Sequence, residues 1–413
     1  MRPIELLCPA SSLEVLKTAV IYGANAVYIG GEAFGLRANA RNFSLKEMED
    51  GISFAHARGV KVYVTANIYA HNEDLDGVRE YFRQLDQIRP DAILIADPAV
   101  FMIAREVCPG IDIHISTQAN NTNWGTYNFW HSLGATRVVA ARELSLAEIR
   151  EIRNHIDSNL EIEAFVHGAM CMAYSGRCLL SNYMTGKDAN QGECTHACRW
   201  KYSLVEEKRP GQYMPIEEDA RGSYIMNSKD LCMIEHIPEM IDAGIDSLKI
   251  EGRMKTALYV ATVARTYRRA IDDYLKDPGL YQKHMDWYRE QIRSCTYRQY
   301  STGFFFGKPS EEDQIYEENS YVRGATYLGQ AQKIREDGTF LIEQKNKFCL
   351  GDSIEIMKPN GDNVEVTVTS ITDSEGKLQE SCPHPRQMIW IGVDGGTVDQ
   401  YDILRRQEEA REG

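Results

Sequence analysis

Nowhere in its 413 residues does the chain carry an unbroken apolar run of the roughly 18 side chains that a membrane-spanning helix needs. Its start, Met1-Arg2-Pro3-Ile4-Glu5-Leu6-Leu7, lacks a charged segment followed by an apolar one and reads straight into a strand, so no secretory signal is expected. Together these absences lead us to expect a cytoplasmic protein with no membrane contact, whose thiols stay reduced. Positive charge is also short. The formal net charge is −14, which makes a poor non-specific binder of nucleic acid and leaves any such substrate in need of a local basic face. Lys249, Arg253, Lys255, Arg265, Arg268 and Arg269 form one candidate face; the plain alternative is a solvated helix surface. There is no GxGxxG, GxxxxGK(S/T), HExxH or GxSxG, so dinucleotide, P-loop, zincin and α/β-hydrolase readings lose support.

What is present is an alternation. Short apolar strands are predicted at Glu5–Cys8, Ala26–Gly30, Val62–Asn67, Ala92–Asp97, Asp112–Gln118, Arg137–Glu143, Glu161–Gly168 and Ser247–Gly252, with amphipathic stretches such as Leu13–Tyr22, Leu45–Arg58 and Leu144–His155 between them. Strands alternating with helices imply parallel βαβ units, and eight such units over about 250 residues match a (β/α)₈ barrel. A doubly wound open sheet is the alternative. Gly23, Gly59 and Gly134 stand where helices end before the next strand, as capping glycines do. We expect a barrel over 1–276, interrupted by a cysteine-rich insertion at 169–246, then a linker or helical extension at 277–320. From 321 to 413, alternating strands separated by Glu336-Asp337-Gly338, Lys358-Pro359-Asn360-Gly361 and Ser374-Glu375-Gly376 predict a small antiparallel β-barrel.

Residues of a barrel strand alternate between the helix layer and the interior. Ile162, Ala164 and Val166 form the apolar, outward set of strand seven, so Glu161, Glu163, Phe165 and His167 are expected inside. The same register turns Tyr28, Tyr63, Thr65, Asn67, His114, Ser116, Gln118, Lys249 and Glu251 inward. A structural barrel core is mostly Val, Ile and Leu. An ionisable interior needs partners or a ligand, because desolvating charge is costly. For any one of these residues a satisfied buried polar group is the plain reading; for the set, an active site at the C-terminal mouth is the economical one.

Cys171 follows directly on strand seven, Cys178 comes seven residues later, and Cys194 and Cys198 are four apart. Four thiolates beside a barrel mouth suit zinc or a four-iron, four-sulfur cluster, although no CxxC pair is present, and spacing does not separate the two metals. Cys232 is a reserve ligand; Cys8, Cys108, Cys295, Cys349 and Cys382 read as small buried hydrophobes.

The stretch Glu163-Ala-Phe165-Val-His167-Gly168-Ala169-Met170-Cys171, continued by Gly176-Arg177-Cys178-Leu-Leu180-Ser181, resembles position by position the signature of the collagenase-like peptidase family (unassigned-type peptidases, family 32). Glu5-Leu-Leu-Cys-Pro9-Ala10, Gly23-Ala-Asn-Ala-Val-Tyr28-Ile-Gly30 and Ser247-Leu-Lys249-Ile-Glu251-Gly252-Arg253 add to the resemblance, with Cys8 where relatives often have Ala. Within that family the chain looks most like a branch that hydroxylates the wobble uridine of tRNA to 5-hydroxyuridine without oxygen, with prephenate as the implied hydroxyl source. The resemblance implies Cys171, Cys178 and Cys194, with Cys198 as fourth, as cluster ligands. On the hydroxylase reading, Glu163, His167, Lys249 and Glu251, set inward by the strand register, would form the catalytic set, Tyr28, Asn67 and Gln118 the substrate contacts, and Arg37, Arg41 or Arg253 would take the prephenate carboxylates. Two other readings stay open. One is a cysteine- or metal-dependent peptidase, in which His167 would activate a thiol. The other is a non-catalytic iron–sulfur or zinc protein that binds RNA.

Overall fold

A computed structural model describes residues 3–35, 42–170, 178–200, 203–205, 213–215, 227–297, 299–309, 314–315, 322–384 and 386–408. Eight parallel strands form the first unit: β1 (Glu5–Pro9), β2 (Ala26–Gly30), β3 (Lys61–Thr65), β4 (Ala92–Ile95), β5 (Asp112–Ile115), β6 (Arg137–Val139), β7 (Glu161–Gly168) and β8 (Ser247–Ile250). Each pairs with its neighbour in sequence, and β8 pairs with both β1 and β7. The sheet therefore closes, and the open doubly wound alternative falls away. Outside it lie α1 (Leu13–Ile21), α2 (Leu45–His56), α3 (Leu75–Ile88), α4 (Pro98–Val107), α5 (Trp124–Ser132) and α6 (Leu146–His155). Within the insertion lie α7 (Leu180–Thr185) and α8 (Ile237–Asp242), and after β8 comes α9 (Ala257–Lys276).

Local chemistry sets the helix starts. Ser44 and Ser145 each cap a helix and receive the Glu three residues on, a capping box. Pro98 and Asp97 begin α4, and Thr256 caps α9. Several predicted strands run on past the point where pairing stops. Strand five ends at Ile115 because the Ser116 hydroxyl takes the Gln118 amide and starts a 3₁₀ turn at Thr117–Ala119. The core is split by the pleat: apolar side chains fill the layer between strands and helices, whereas among the described residues the buried apolar cluster inside the barrel contains only Leu7, Ala26, Tyr28, Tyr63, Ala92 and Leu94.

Two further helices, α10 (Pro278–Lys283) and α11 (Met285–Arg293), lead to the second unit. There β9 (Ala325–Ile334), β10 (Phe340–Glu343), β11 (Ser353–Met357), β12 (Val364–Thr372), β13 (Met388–Asp394) and β14 (Ile403–Gln407) close an antiparallel six-stranded barrel around its own apolar core. Polar contacts seat it on the first unit. The Tyr22 hydroxyl donates to the Met357 carbonyl at 2.7 Å, and fully buried Arg405 pairs with Glu355 and donates to Ser294 Oγ at 2.8 Å. No helix among the described residues is long and apolar enough to cross a membrane.

Candidate active site at the barrel mouth

At the N-terminal side of the interior a buried charge network replaces an apolar core. Arg137, 2% exposed, reaches Glu5 at 2.5 Å, Glu161 at 2.6 Å and Glu163 at 3.0 Å. Glu163, fully buried, also takes the Lys249 ammonium at 2.7 Å. Tyr63 and Ser247 both donate to Glu5, at 2.7 and 2.8 Å. Burial alone would raise the Glu5 pKa; the Arg137 charge and these hydrogen bonds outweigh it and hold the carboxyl below its ordinary range. Lys249 moves the other way: burial lowers it, and Glu163 opposes the fall.

Above this layer lies a cavity of about 130 Å³ at the C-terminal ends of the strands. Tyr28, Asn67, Gln118, Lys249, Glu251 and Arg253 line it, and so do Cys178 and Cys194 from the insertion. Eight sequence-predicted site residues from separate stretches therefore meet at one place. Their partners hold them in position. Tyr28 donates to the Ile250 carbonyl at 2.9 Å, Asn67 to Ser116 Oγ at 3.0 Å and Arg253 to Thr65 Oγ1 at 3.0 Å. Among the described residues, buried Gln118 Oε1 has no partner, so it is free to accept from a ligand.

Side-chain and backbone hydrogen bonds brace the insertion and tie it to Tyr69 beside this mouth. Asn190 donates to the Cys178 carbonyl at 3.3 Å, the Tyr69 amide donates to Asn190 O at 3.3 Å, and Gln191 donates to Tyr69 O. Ser181 Oγ accepts the Thr195 amide at 3.0 Å, which fixes the chain beside Cys194. Both mouth thiols are unpaired and half-buried. Cys198 stands in a 3₁₀ turn, Ala197–Arg199. Cys232 lies opposite His167, where the Asp230–Cys232 strand pairs antiparallel with β7. Arg37, Arg41 and Cys171 lie outside the described residues.

His167 departs from the expected register. The β7–β8 ladder shifts between Lys249 and Ile250, so that Lys249 faces Phe165 but Ile250 faces His167. Such a bulge breaks strict alternation. Rather than entering the cavity, His167 packs among the rings of Tyr259, Tyr267 and Tyr300, with centroids 6.0, 5.5 and 5.4 Å away. Burial first, and Lys255 second, push its pKa down to about 3, so it is neutral at physiological pH. The expected histidine beside the mouth thiols is therefore absent from the cavity wall, whose lining does include Cys178 and Cys194.

Gly168 makes this turn possible. Its φ is +107°, and an added Cβ would come within 2.7 Å of the Glu251 carbonyl oxygen. Gly168→Ala is expected to cost about 1–3 kcal/mol and to displace Glu251 with it. Chemical denaturation and a ligand titration at the mouth would check this; unchanged values in both would show that the backbone there relaxes freely.

Arg142 was missed from the sequence. It follows the short β6, and its guanidinium lies 3.8 Å over the Phe165 ring and 3.8 Å from Glu251. Extending the inward register of Arg137 would turn Arg142, five residues on, outward, but the chain leaves the sheet at Val139 and alternation no longer applies.

A closed (β/α)₈ barrel with a charged, thiol-edged cavity at its C-terminal face has the layout of an enzyme. The chain belongs to peptidase family U32: residues 11–315 match that family, and residues 323–405 match the peptidase family U32 C-terminal domain. It is 44% identical over 392 residues to tRNA hydroxylation protein P1 of Bacillus subtilis, covering 94% of this chain and 92% of the relative. It is 38% identical over 442 residues to tRNA hydroxylation protein P of Escherichia coli, covering 97% and 96%. A third relative, 23S rRNA 5-hydroxycytidine C2501 synthase of Escherichia coli, is 37% identical over 276 residues, covering 67% of this chain and 40% of the relative.

Proposed function

We propose that this chain hydroxylates RNA, and that its substrate is the wobble uridine of tRNA, converted to 5-hydroxyuridine with prephenate as hydroxyl source. The names of its relatives support RNA hydroxylation. The observation that carries the finer reading is the single cavity joining Cys178 and Cys194 to Lys249, Glu251, Arg142 and Arg253. Soft thiolates suit an iron–sulfur cluster, and reduced, unpaired cysteines at a cavity edge fit that group. Cys171, Cys178 and Cys194 would hold it, with Cys198 or Cys232 as the fourth ligand. Such a cluster supplies electron transfer or an electron-poor iron. The protein's own residues do the rest. Arg142 and Arg253 offer guanidinium groups to a dicarboxylate. Lys249, whose pKa burial lowers and Glu163 partly restores, sets a buried, hydrogen-bonded cation in the cavity wall. Phe165 and Leu94 keep part of the wall dry.

The test is nucleoside mass spectrometry of tRNA from a strain lacking the gene. Loss of 5-hydroxyuridine and its derivatives, restored by the wild-type gene but not by Lys249→Met, is the expected result. Intact modification with no second family member present would refute it. For the peptidase reading no comparable observation exists, since His167 lies away from the mouth thiols; gelatin cleavage by the anaerobically purified protein, abolished by Cys171→Ser, would revive it.

A further inference from the structure

A second cleft, of about 430 Å³, opens between α9, α11 and the turn joining β11 to β12. Arg265, Arg268 and Arg269 of α9 line it, with Trp287 of α11 and Asp362 of the turn. Arg265 is only 4% exposed. Its hydrogen bonds go to neutral oxygens: the Lys358 carbonyl at 2.9 Å, Asn363 Oδ1 at 2.7 Å and Gln291 Oε1 at 2.7 Å. Its Nε is buried with no partner among the described residues, as is that of Arg268. The nearby carboxylate of Glu355 is taken by Arg405. Burial, and then repulsion from Arg405, lower the Arg265 pKa to about 10. A desolvated cation without a bonded counter-charge is costly, and an arriving anion relieves that cost.

The rest of the cleft is built to present guanidinium edges. Arg269 lies 4.3 Å and Arg265 5.4 Å from the Trp287 ring centroid. A guanidinium stacked on a ring keeps its N–H donors in the plane, where they can grip a phosphate bidentately. Gly23, at φ +105°, lets the Arg268 stem lie against the backbone, since a Cβ there would come within 2.7 Å of Arg268 Cγ. Arg268 and Arg269 are tethered by Asp272 at 2.6 Å and Asp273 at 3.8 Å. Twelve residues of helix separate Arg268 from the cap Thr256 beside the mouth, roughly 18 Å at 1.5 Å per residue.

We propose that this cleft is a second contact for the RNA substrate, binding backbone phosphate at a distance from the reacting base. The proposal rests on the reading of the substrate as RNA. A chain of net charge −14 needs a local cationic site to hold a polyanion, and this is one that the fold builds away from the catalytic cavity.

Full-length tRNA binding by fluorescence anisotropy, over about 50–200 mM salt, tests it. Compared with wild type, the Arg268→Gln/Arg269→Gln double variant is expected to bind about tenfold more weakly. Its log-affinity against log-salt slope should fall by about one to two, near one per lost phosphate contact. Asp362→Lys is expected to bind tRNA several-fold more tightly, an effect that a purely structural clamp would not show. A trinucleotide carrying the target uridine should bind all three proteins alike. If wild type binds tRNA but the double variant keeps its affinity and slope, or if Asp362→Lys gains nothing, this site is refuted and the substrate reading stands. If wild type binds no RNA, both fall. If inorganic phosphate binds in the cleft while tRNA affinity is indifferent to all these changes, the site takes a free anion and the RNA contact is refuted.

Discussion

Arg137→Leu is expected to lower the unfolding free energy by about 3–5 kcal/mol, because it leaves buried carboxylates without their cation. Arg137 is the shared partner of Glu5, Glu161 and Glu163, and among the described residues Glu163 has only Lys249 besides it. The pH dependence carries a second signature. In the wild-type chain the folded pKa of Glu5 lies below its ordinary 4.5. Its contribution is therefore fully present above pH 4.5 and is lost as pH falls through the lowered value. Without Arg137, only the Tyr63 and Ser247 hydrogen bonds still oppose burial at Glu5, and its pKa is expected to rise. The folded variant then binds protons more readily than its unfolded chain, so its deficit should shrink on acidification from pH 7 to about 5. Urea denaturation of both proteins across that range measures this. A loss under about 1 kcal/mol, or a deficit that does not change with pH, would mean that the network is hydrated and that the buried-charge account is wrong.

Cys178→Ser and Cys194→Ser are each expected to abolish RNA hydroxylation and to strip most of the iron and sulfide from protein purified without oxygen. The reason is geometric: both thiols line the mouth cavity with Lys249, Glu251 and Arg253, and a four-thiolate cluster tolerates the loss of a ligand poorly. Cys108 and Cys382 are fully buried small hydrophobes whose thiols burial pushes up to about 11 and 12. Their replacement by Ala is expected to cost about 1 kcal/mol and to leave metal content intact. Cys198→Ser and Cys232→Ser, compared side by side, identify the fourth ligand by which one loses iron. Wild-type protein that carries zinc alone or no metal would remove the basis of the cluster reading, as would mouth variants that keep full iron.

Much of this layout was legible in the chain. Helix ends were marked by Gly23, Gly59 and Gly134, all at positive φ, because a left-handed cap is a local backbone requirement. The inward set on β7 and β8 was readable as far as Phe165 and Lys249 because strand alternation has a period of two. Beyond those residues the reading failed for His167, since a bulge is a relation between two strands distant in sequence. Arg142 escaped for a similar reason: it belongs to the mouth through tertiary placement after β6 has ended, not through any pattern of its own.

The sequence by itself determined the family, the eight-unit alternation, the appended β-barrel and the polar character of the interior, because each of these is written in local periodicity or in a continuous motif. Only the tertiary structure decided which of those residues share a cavity. It set Glu163 beneath the floor as the link between Arg137 and Lys249, turned His167 into the aromatic layer, and brought Cys178 and Cys194 to the rim. It also placed Arg265, Arg268 and Arg269 against Trp287 in a second cleft. Such neighbourhoods depend on how the barrel closes, where a ladder slips by one residue, and how the C-terminal unit docks on α9; contacts across that range leave no trace in spacing along the chain.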